Sequence, residues 1–273
     1  MEKTISPARK LEKDIIKKYR KDIWSKFIKG IKTFDLLQDG DKVMVAMSGG
    51  KDSFLLAKLF QELKKHPLVK FDVVFVSMDP GYSESNLAQI KHTAELLDID
   101  LIIEPYNIFK VVNNISKEYP CYMCARMRRG FLYSMAEKYG CNKMALGHHF
   151  DDVIETTLLN LFYSGTFKTM LPKVKSQNFD GIDLIRPMYF IKEHNVLKIM
   201  ENNDIYAMDC GCSVAAGQIA SKRKEIKELI KTLKTLHKDI DKSIFRAAAN
   251  VNLDNILAWE KDGKMYHFTD DYE

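Results

Sequence analysis

Lys42-Val-Met-Val-Ala-Met47 runs straight into Ser48-Gly49-Gly50-Lys51-Asp52-Ser53, and Leu55, Leu56, Leu59, Phe60 and Leu63 follow at helical spacing. The first piece reads as a short buried strand and the last as an amphipathic helix over roughly Asp52–Lys64. The six residues at the corner between them suit an anion. Two glycines let backbone N–H groups close around it, the helix N-terminus adds partial positive charge, and two hydroxyls and a lysine add donors. The string matches neither the Walker A pattern GxxxxGK[ST] nor the dinucleotide pattern GxGxxG. A kinase or GTPase reading built on the γ-phosphate therefore falls away.

Outward from this corner the alternation repeats. Asp72–Met78, Leu101–Glu104 and Lys143–Gly147 read as strands, and Glu84–Leu97, Met123–Tyr139 and Asp151–Phe162 as helices. Such alternation predicts an α/β fold, a parallel sheet with helices on both faces, whose ligands bind beyond the carboxyl ends of the strands. Upstream, Leu11, Ile15, Ile16, Tyr19, Ile23, Trp24, Phe27 and Ile31, at steps of three and four, mark an amphipathic helix with a basic outer face over 8–33. Downstream, Lys168–Pro187 is loop-rich with a short strand at Ile182–Arg186, and helices are expected at Glu193–Asn203, Ile219–Leu236 and Lys242–Trp259. The expected division is a basic helical segment at 1–37, an α/β nucleotide-binding domain at 38–190 and a helical region at 191–273.

The 273 residues, 46% apolar and 29% charged, can build a real core, which excludes disorder and a disulfide-stapled miniprotein. Apolar runs are far shorter than the roughly 20 residues a membrane span needs, and Met1–Lys21 lacks an apolar secretory core. A cytoplasmic protein is expected. Residues 1–32 hold eleven Lys/Arg against four acids, so the rest of the chain is net negative by two. A second basic run extends from Lys222-Arg223-Lys224 to Lys238. Both runs fit solvated helix faces or a polyanion-binding surface.

Candidate site residues gather at strand ends. Asp79 closes the second strand and is placed to line an adenine or ribose pocket. Gly147-His148-His149-Phe150-Asp151-Asp152 closes the fourth strand and opens a helix. Asp151 and Asp152 suit Mg²⁺ beside phosphates, or helix capping; His148 reads as a lining residue. Five cysteines are an odd number for a disulfide framework. Cys121-Tyr-Met-Cys124 and Cys210-Gly-Cys212 point to metal or sulfur chemistry, while Cys141, alone before an apolar strand, reads as core. Arg126, Arg128 and Arg129 favour thiolate at Cys121 and Cys124.

SGGKDS resembles the PP-loop of the ATP pyrophosphatases, which cut ATP between its α and β phosphates. With Pro120-Cys-Tyr-Met-Cys-Ala-Arg-Met-Arg-Arg-Gly130 and Ala145-Leu-Gly-His-His-Phe-Asp-Asp-Val-Ile-Glu-Thr156, the chain resembles the TtcA-like tRNA thiolases of the TtcA/TtuA family. Asn160-Leu-Phe-Tyr163, Met170-Leu-Pro-Lys173 and Ile185-Arg-Pro187 extend the likeness, which covers roughly residues 25–215.

The resemblance implies an ATP-dependent enzyme that adenylates the C2 carbonyl oxygen of a tRNA pyrimidine and exchanges it for sulfur, 2-thiocytidine being the expected product. It implies Lys51, Asp52, Asp151 and Asp152 as catalytic residues, and Ser48, Gly49, Gly50, Lys51, Asp52, Ser53, Asp79, Gly147 and His148 around ATP and Mg²⁺. A 4Fe–4S cluster on three cysteines is implied, with Cys121, Cys124 and either Cys210 or Cys212 as ligands. The family usually shows a second CxxC where this chain has Cys210-Gly-Cys212-Ser213, so the third ligand stays open between the two. Expected partners are tRNA, whose phosphates suit the basic N-terminal segment, a sulfur donor such as a cysteine desulfurase or free sulfide, and a second copy of the chain. Competing readings are a zinc-bearing PP-loop enzyme, an enzyme that removes or transfers sulfur on another base or a small molecule, and a nucleotide-binding iron–sulfur sensor.

Overall fold

The computed structural model describes residues 5–106, 120–208 and 218–270, with backbone alone at 120–125 and 218–221. Six strands form one sheet: β1 (Asp41–Met47), β2 (Phe71–Asp79), β3 (Leu101–Pro105), β4 (Lys143–Ala145), β5 (Lys173–Lys175) and β6 (Asp183–Ile185). Their order is β3-β2-β1-β4-β6-β5, parallel except for the edge strand β5, which runs antiparallel to β6. The expected parallel sheet is present, and strand β5 is an addition to it. Strand order reverses at β1, flanked by β2 and β4, so the loops leaving β1 and β4 open side by side.

Side chains alternate along β1 and split the core in two. Val43, Val45 and Met47 face a large cluster that includes Phe54, Leu55, Leu59 and Phe60. Met44 faces the other way, with Val76, Met144, Leu184, Tyr133 and Ala136. The helices that cover these faces are α1 (Pro7–Ile16), α2 (Ser25–Thr33), α3 (Lys51–Lys65), α4 (Glu84–Leu96), α5 (Pro120–Lys138), α6 (Phe150–Ser164) and α7 (Glu193–Glu201). Two more, α8 (Gln218–Leu236) and α9 (Ile240–Ala247), pack through Ile226, Ile230 and Phe245 against Phe150, Ile154 and Leu158 of α6. Among the described residues no helix is long and apolar enough to cross a membrane.

The N-terminal helix differs instructively from the expectation. Six of its apolar residues, from Leu11 to Ile31, recur at every fourth position. An ideal α-helix would rotate such a series by about 40° per step and carry it off the core face. Instead a π-helical turn at Arg20–Trp24 separates α1 from α2. The wider turn absorbs the drift, and Leu11, Ile15, Tyr19, Ile23, Phe27 and Ile31 are all buried in the same core as α3. Lys58 of α3, with no exposed surface, donates to Glu12 Oε1 (2.8 Å) and to the carbonyl of Leu97 (2.9 Å).

The helix expected over Lys242–Trp259 is corrected: α9 ends at Ala247, and a 3₁₀ turn at Leu253–Asn255 follows, where the Asn252 side chain accepts from Asp254 N. β7 (Ala258–Lys261) and β8 (Lys264–His267) then form a hairpin. Asp262 and Gly263 both have positive φ (52° and 75°), the two-residue turn that an Asp-Gly pair favours. At the start of α5, Pro120 is the first helical residue. Its missing N–H costs nothing at that position.

Lys58→Ala should destabilise the protein by about 3 kcal/mol in urea unfolding, because it orphans a buried carbonyl and one partner of Glu12. A cost below about 1 kcal/mol would show that α1 is held by apolar packing alone.

Candidate active site

The cleft lies where the topology requires, beyond the ends of β1 and β4. It encloses about 450 Å³ and is lined by Ser48, Asp52 and Ser53 from the glycine-rich corner, Gly147 and His148 after β4, and Asp152 in the first turn of α6. Met47, Met78, Leu132, Met144 and Leu146 supply an apolar wall, and Arg128, Arg129 and Arg223 supply charge.

Two glycines make this geometry possible. Gly49 has φ +81°, and a Cβ there would fall 2.7 Å from Ile90 of α4. A Cβ on Gly147 would meet the backbone carbon and oxygen of Asp52 at 3.1 Å. The corner is tied to itself: Ser53 Oγ donates to the Gly50 carbonyl (2.8 Å), and Gly50 N donates to Ser48 Oγ (3.3 Å). The next turn begins α3 at Lys51, so the helix N-terminus faces the cleft.

The predicted catalytic residues fall into two groups. Asp52 and Asp152 line the cleft. Asp52 Oδ2 accepts from Lys51 Nζ (3.0 Å), while its buried Oδ1 has no hydrogen-bond partner. Asp152 forms a capping box with His149, accepting from His149 N at 2.9 Å, and its other oxygen takes Arg223 Nη1 at 3.2 Å. Burial pushes the Asp152 carboxyl up, but both histidines, the amide and Arg223 outweigh it and hold it below the usual range.

Asp151 instead accepts from Glu193 N (2.7 Å) at the start of α7, and Lys51 Nζ also reaches Glu193 Oε1 (3.4 Å). Burial opposes the charge on Lys51, yet Asp52 and Glu193 raise its pKa above the usual lysine value. Asp79 Oδ1 accepts from Gly81 N and Tyr82 N at 2.9 and 2.8 Å, which shapes the turn after β2. Its neighbour Met78 is the β2 residue that lines the cleft.

Several contributors escaped the sequence reading. Arg223 comes from α8, 71 positions beyond its partner Asp152, and looked like one more residue of a basic run. Glu155 is buried one turn along α6 from Asp151, with Oε2 unpartnered. Its nearest cations, Lys227 Nζ and Arg223 Nε, stand at 3.6 and 3.8 Å. Burial therefore prevails over Lys227 and Arg223, aided by the Asp152 charge, and raises its pKa to about 7. His148 is driven the other way, to about 4, by burial and by Arg186 and Arg223 against the pull of Asp152, so its ring is neutral near pH 7.

The cysteine expectations divide in the same way. Cys141 is buried and its thiol is pushed up to about 11 by burial, as suits an inert core residue. The backbones of Cys121 and Cys124 lie in the first turns of α5, and Cys124 precedes the cleft residue Arg128 by one turn. Their side chains, and all of Cys210 and Cys212, lie outside the described residues.

A family profile for the PP-loop domain matches residues 20–210. The fold and the corner thus define a PP-loop protein. A tRNA-cytidine(32) 2-sulfurtransferase of Geobacter metallireducens is 36% identical over 88% of this chain and 93% of its own. One of Paraburkholderia xenovorans is 35% identical over 86% of this chain and 68% of its own. Among solved structures, the U34-tRNA thiolase NcsA from Methanococcus maripaludis, with its [4Fe-4S] cluster, shares the fold, with TM-score 0.68, 24% identity and coverage of 83% and 77% of the two chains. The chain belongs to the PP-loop family, in its TtcA-like tRNA thiolase branch.

Two outcomes follow from the geometry. Gly147→Ala should weaken nucleotide binding at least ten-fold in a direct titration, since its Cβ would press on the backbone of Asp52; unaltered affinity would show that the corner yields freely. Between about pH 4.5 and 7 the unfolded chain has released the Glu155 proton while the folded chain keeps it, so stability falls as pH rises across that window. Glu155→Gln removes this slope, and its melting temperature should gain on the wild type from pH 4.5 to 7. A constant difference would mean that Glu155 ionises normally.

Proposed function

We propose that this protein is an ATP-dependent tRNA sulfurtransferase that converts a cytidine to 2-thiocytidine, using a three-cysteine 4Fe–4S cluster. One observation carries the reading. Met208 N donates to the carbonyl of Gly49 (3.1 Å), so the chain leaves the described residues from the glycine-rich corner itself. Cys210 is two residues further on in the sequence. From the other side, Cys124 stands one helical turn from Arg128 in the cleft wall, about 6 Å along the axis. Chain connectivity from Met208 and from Arg128 supports cysteine chemistry beside one nucleotide-sized cleft, which suits activation and sulfur delivery at a single base.

An amide-like oxygen is a poor leaving group, and adenylation corrects that. The pyrimidine C2 oxygen attacks the α-phosphorus of ATP and pyrophosphate leaves; sulfur then attacks C2, and AMP departs carrying the original oxygen. Ser48, Gly49, Gly50 and Ser53 bind the departing phosphates with hydroxyl and amide donors at the start of α3. Lys51 stays charged for the same task. The unpartnered Asp52 Oδ1 and the carboxylate of Asp152 form an oxygen donor set that fits Mg²⁺ beside phosphates, while Asp151 braces α7 against the corner. Met47, Met78 and Leu132 receive the adenine against an apolar wall. Arg128, Arg129 and Arg223 balance charge as it builds on the phosphates. Cys121, Cys124 and either Cys210 or Cys212 would hold the cluster, which would supply iron to bind sulfide for delivery to C2. The curated relatives named for cytidine 32 support cytidine as the base, and the basic residues of the N-terminal segment and α8 suit tRNA phosphates.

Anaerobic purification should yield a brown protein with about four iron and four sulfide per chain, and nucleoside mass spectrometry of tRNA from cells lacking the gene should show loss of 2-thiocytidine. A colourless protein with one zinc would exclude the cluster; an unchanged tRNA profile would exclude the substrate. Asp52→Ala or Ser53→Ala should abolish AMP formation with the cluster spectrum intact, and Cys121→Ala should bleach the spectrum.

A further inference from the structure

Residues 161–168, at the end of α6 and just beyond, are exposed without a break, yet they carry three aromatic rings. Phe162 is 55% exposed, Tyr163 43% and Phe167 45%. The rings stand on a braced scaffold. Gly165 ends α6 in a left-handed conformation, Thr166 N donates to the Asn160 carbonyl (3.0 Å), and Asn160 Nδ2 donates to the Lys168 carbonyl (3.0 Å). Tyr163 is held from the other side, its hydroxyl donating to Glu225 of α8 (2.5 Å).

A cation sits on one of these rings. Lys222 Nζ lies 4.8 Å from the centre of the Tyr163 ring, and Lys168 and Lys224 are exposed nearby in sequence. Lys222 is followed by Arg223, which enters the cleft. A single pair of adjacent α8 residues therefore joins the aromatic rim to the reaction site. Rigid exposed rings interleaved with lysines match a single-stranded nucleic acid, whose bases stack on aromatics while its phosphates meet cations. A surface for another copy of the chain would instead be expected to shed lysine from its centre.

Resting on the tRNA reading above, we infer that Phe162, Tyr163 and Phe167, with Lys168, Lys222 and Lys224, form the docking surface for the single-stranded RNA that flanks the target nucleotide. A base must leave its stack to present C2 inside the cleft, which exposes the faces of its neighbours. Phe162 and Tyr163 stand about 16 Å along α6 from Asp152 of the cleft, and the rings offer those faces replacement partners.

The test uses the full-length protein and an in vitro transcribed tRNA carrying the unmodified cytidine, with binding followed by fluorescence anisotropy at several salt concentrations. Phe162→Ala and Phe167→Ala should each weaken tRNA binding by roughly ten-fold, with ATP binding, melting temperature and light-scattering mass unchanged. Phe167→Trp, which keeps a stacking face, should retain affinity. Lys222→Gln should reduce the salt slope by about 0.7 for the one lost contact. Aromatic variants that bind tRNA as the wild type does would overturn the inference. A fall in mass with tRNA binding intact would also overturn it and reassign the rim to self-association. If the wild-type protein itself fails to bind tRNA, the sulfurtransferase reading falls first, and the docking surface with it.

Discussion

The approach of the backbone at Gly147 to that of Asp52 is the constraint on which the site depends. β1 and β4 are hydrogen-bonded neighbours, in register from Val43 with Lys143 to Val45 with Ala145. The segments leaving them therefore emerge side by side and turn at once into α3 and α6. Two helix N-termini meet at one cleft, each lending its partial positive charge. A side chain at 147 would push them apart, since its Cβ would stand 3.1 Å from the Asp52 backbone. Packing against Ile90 places a second limit on the same corner at Gly49.

Bringing two helix starts together also gathers acids, and the C-terminal region answers their charge. Arg223 meets Asp152, and Lys227 meets Glu193 at 3.0 Å, which in turn holds Lys51 of the glycine-rich corner. Helix α8 is thus the opposite electrostatic wall of the nucleotide cleft. Its footing is firm: buried Asp241 of α9 takes Lys192 at 2.6 Å and Lys234 of α8 at 3.0 Å, and those contacts overcome burial to hold its carboxyl at about 2. Glu155 shows the converse. At 3.6 Å and beyond, its cations do not replace lost hydration, and its proton stays until about pH 7.

Much of this was readable from local pattern. Strand-to-helix corners announce themselves through glycine, serine and aspartate beside apolar runs, and the elements from β1 to α6 lie within a few residues of expectation. Where the reading strayed, the competing signal was also present. Six apolar residues at strict four-residue spacing cannot all face one side of an ideal α-helix, so a wider turn was implied between Leu11 and Ile31. Asp262-Gly263 is a hairpin signal that outranked the helical spacing around it. Asp151 and Asp152, alike in sequence, parted roles because consecutive helical residues point about 100° apart. One reaches α7 and the other the cleft.

The amino-acid sequence by itself determined the strand–loop–helix corner, the parallel α/β layering and the residue types gathered at that corner. These follow from short-range pattern: apolar periodicity, glycine at corners, and donors at a helix start. Only the tertiary structure decided which distant charges complete the cleft. Arg223 finds Asp152 across 71 positions, and Met208 N finds the Gly49 carbonyl across 159. The physical reason is that a buried or half-buried carboxylate needs a cation within a few ångströms, and packing of α8 on α6, rather than any spacing along the chain, sets that distance.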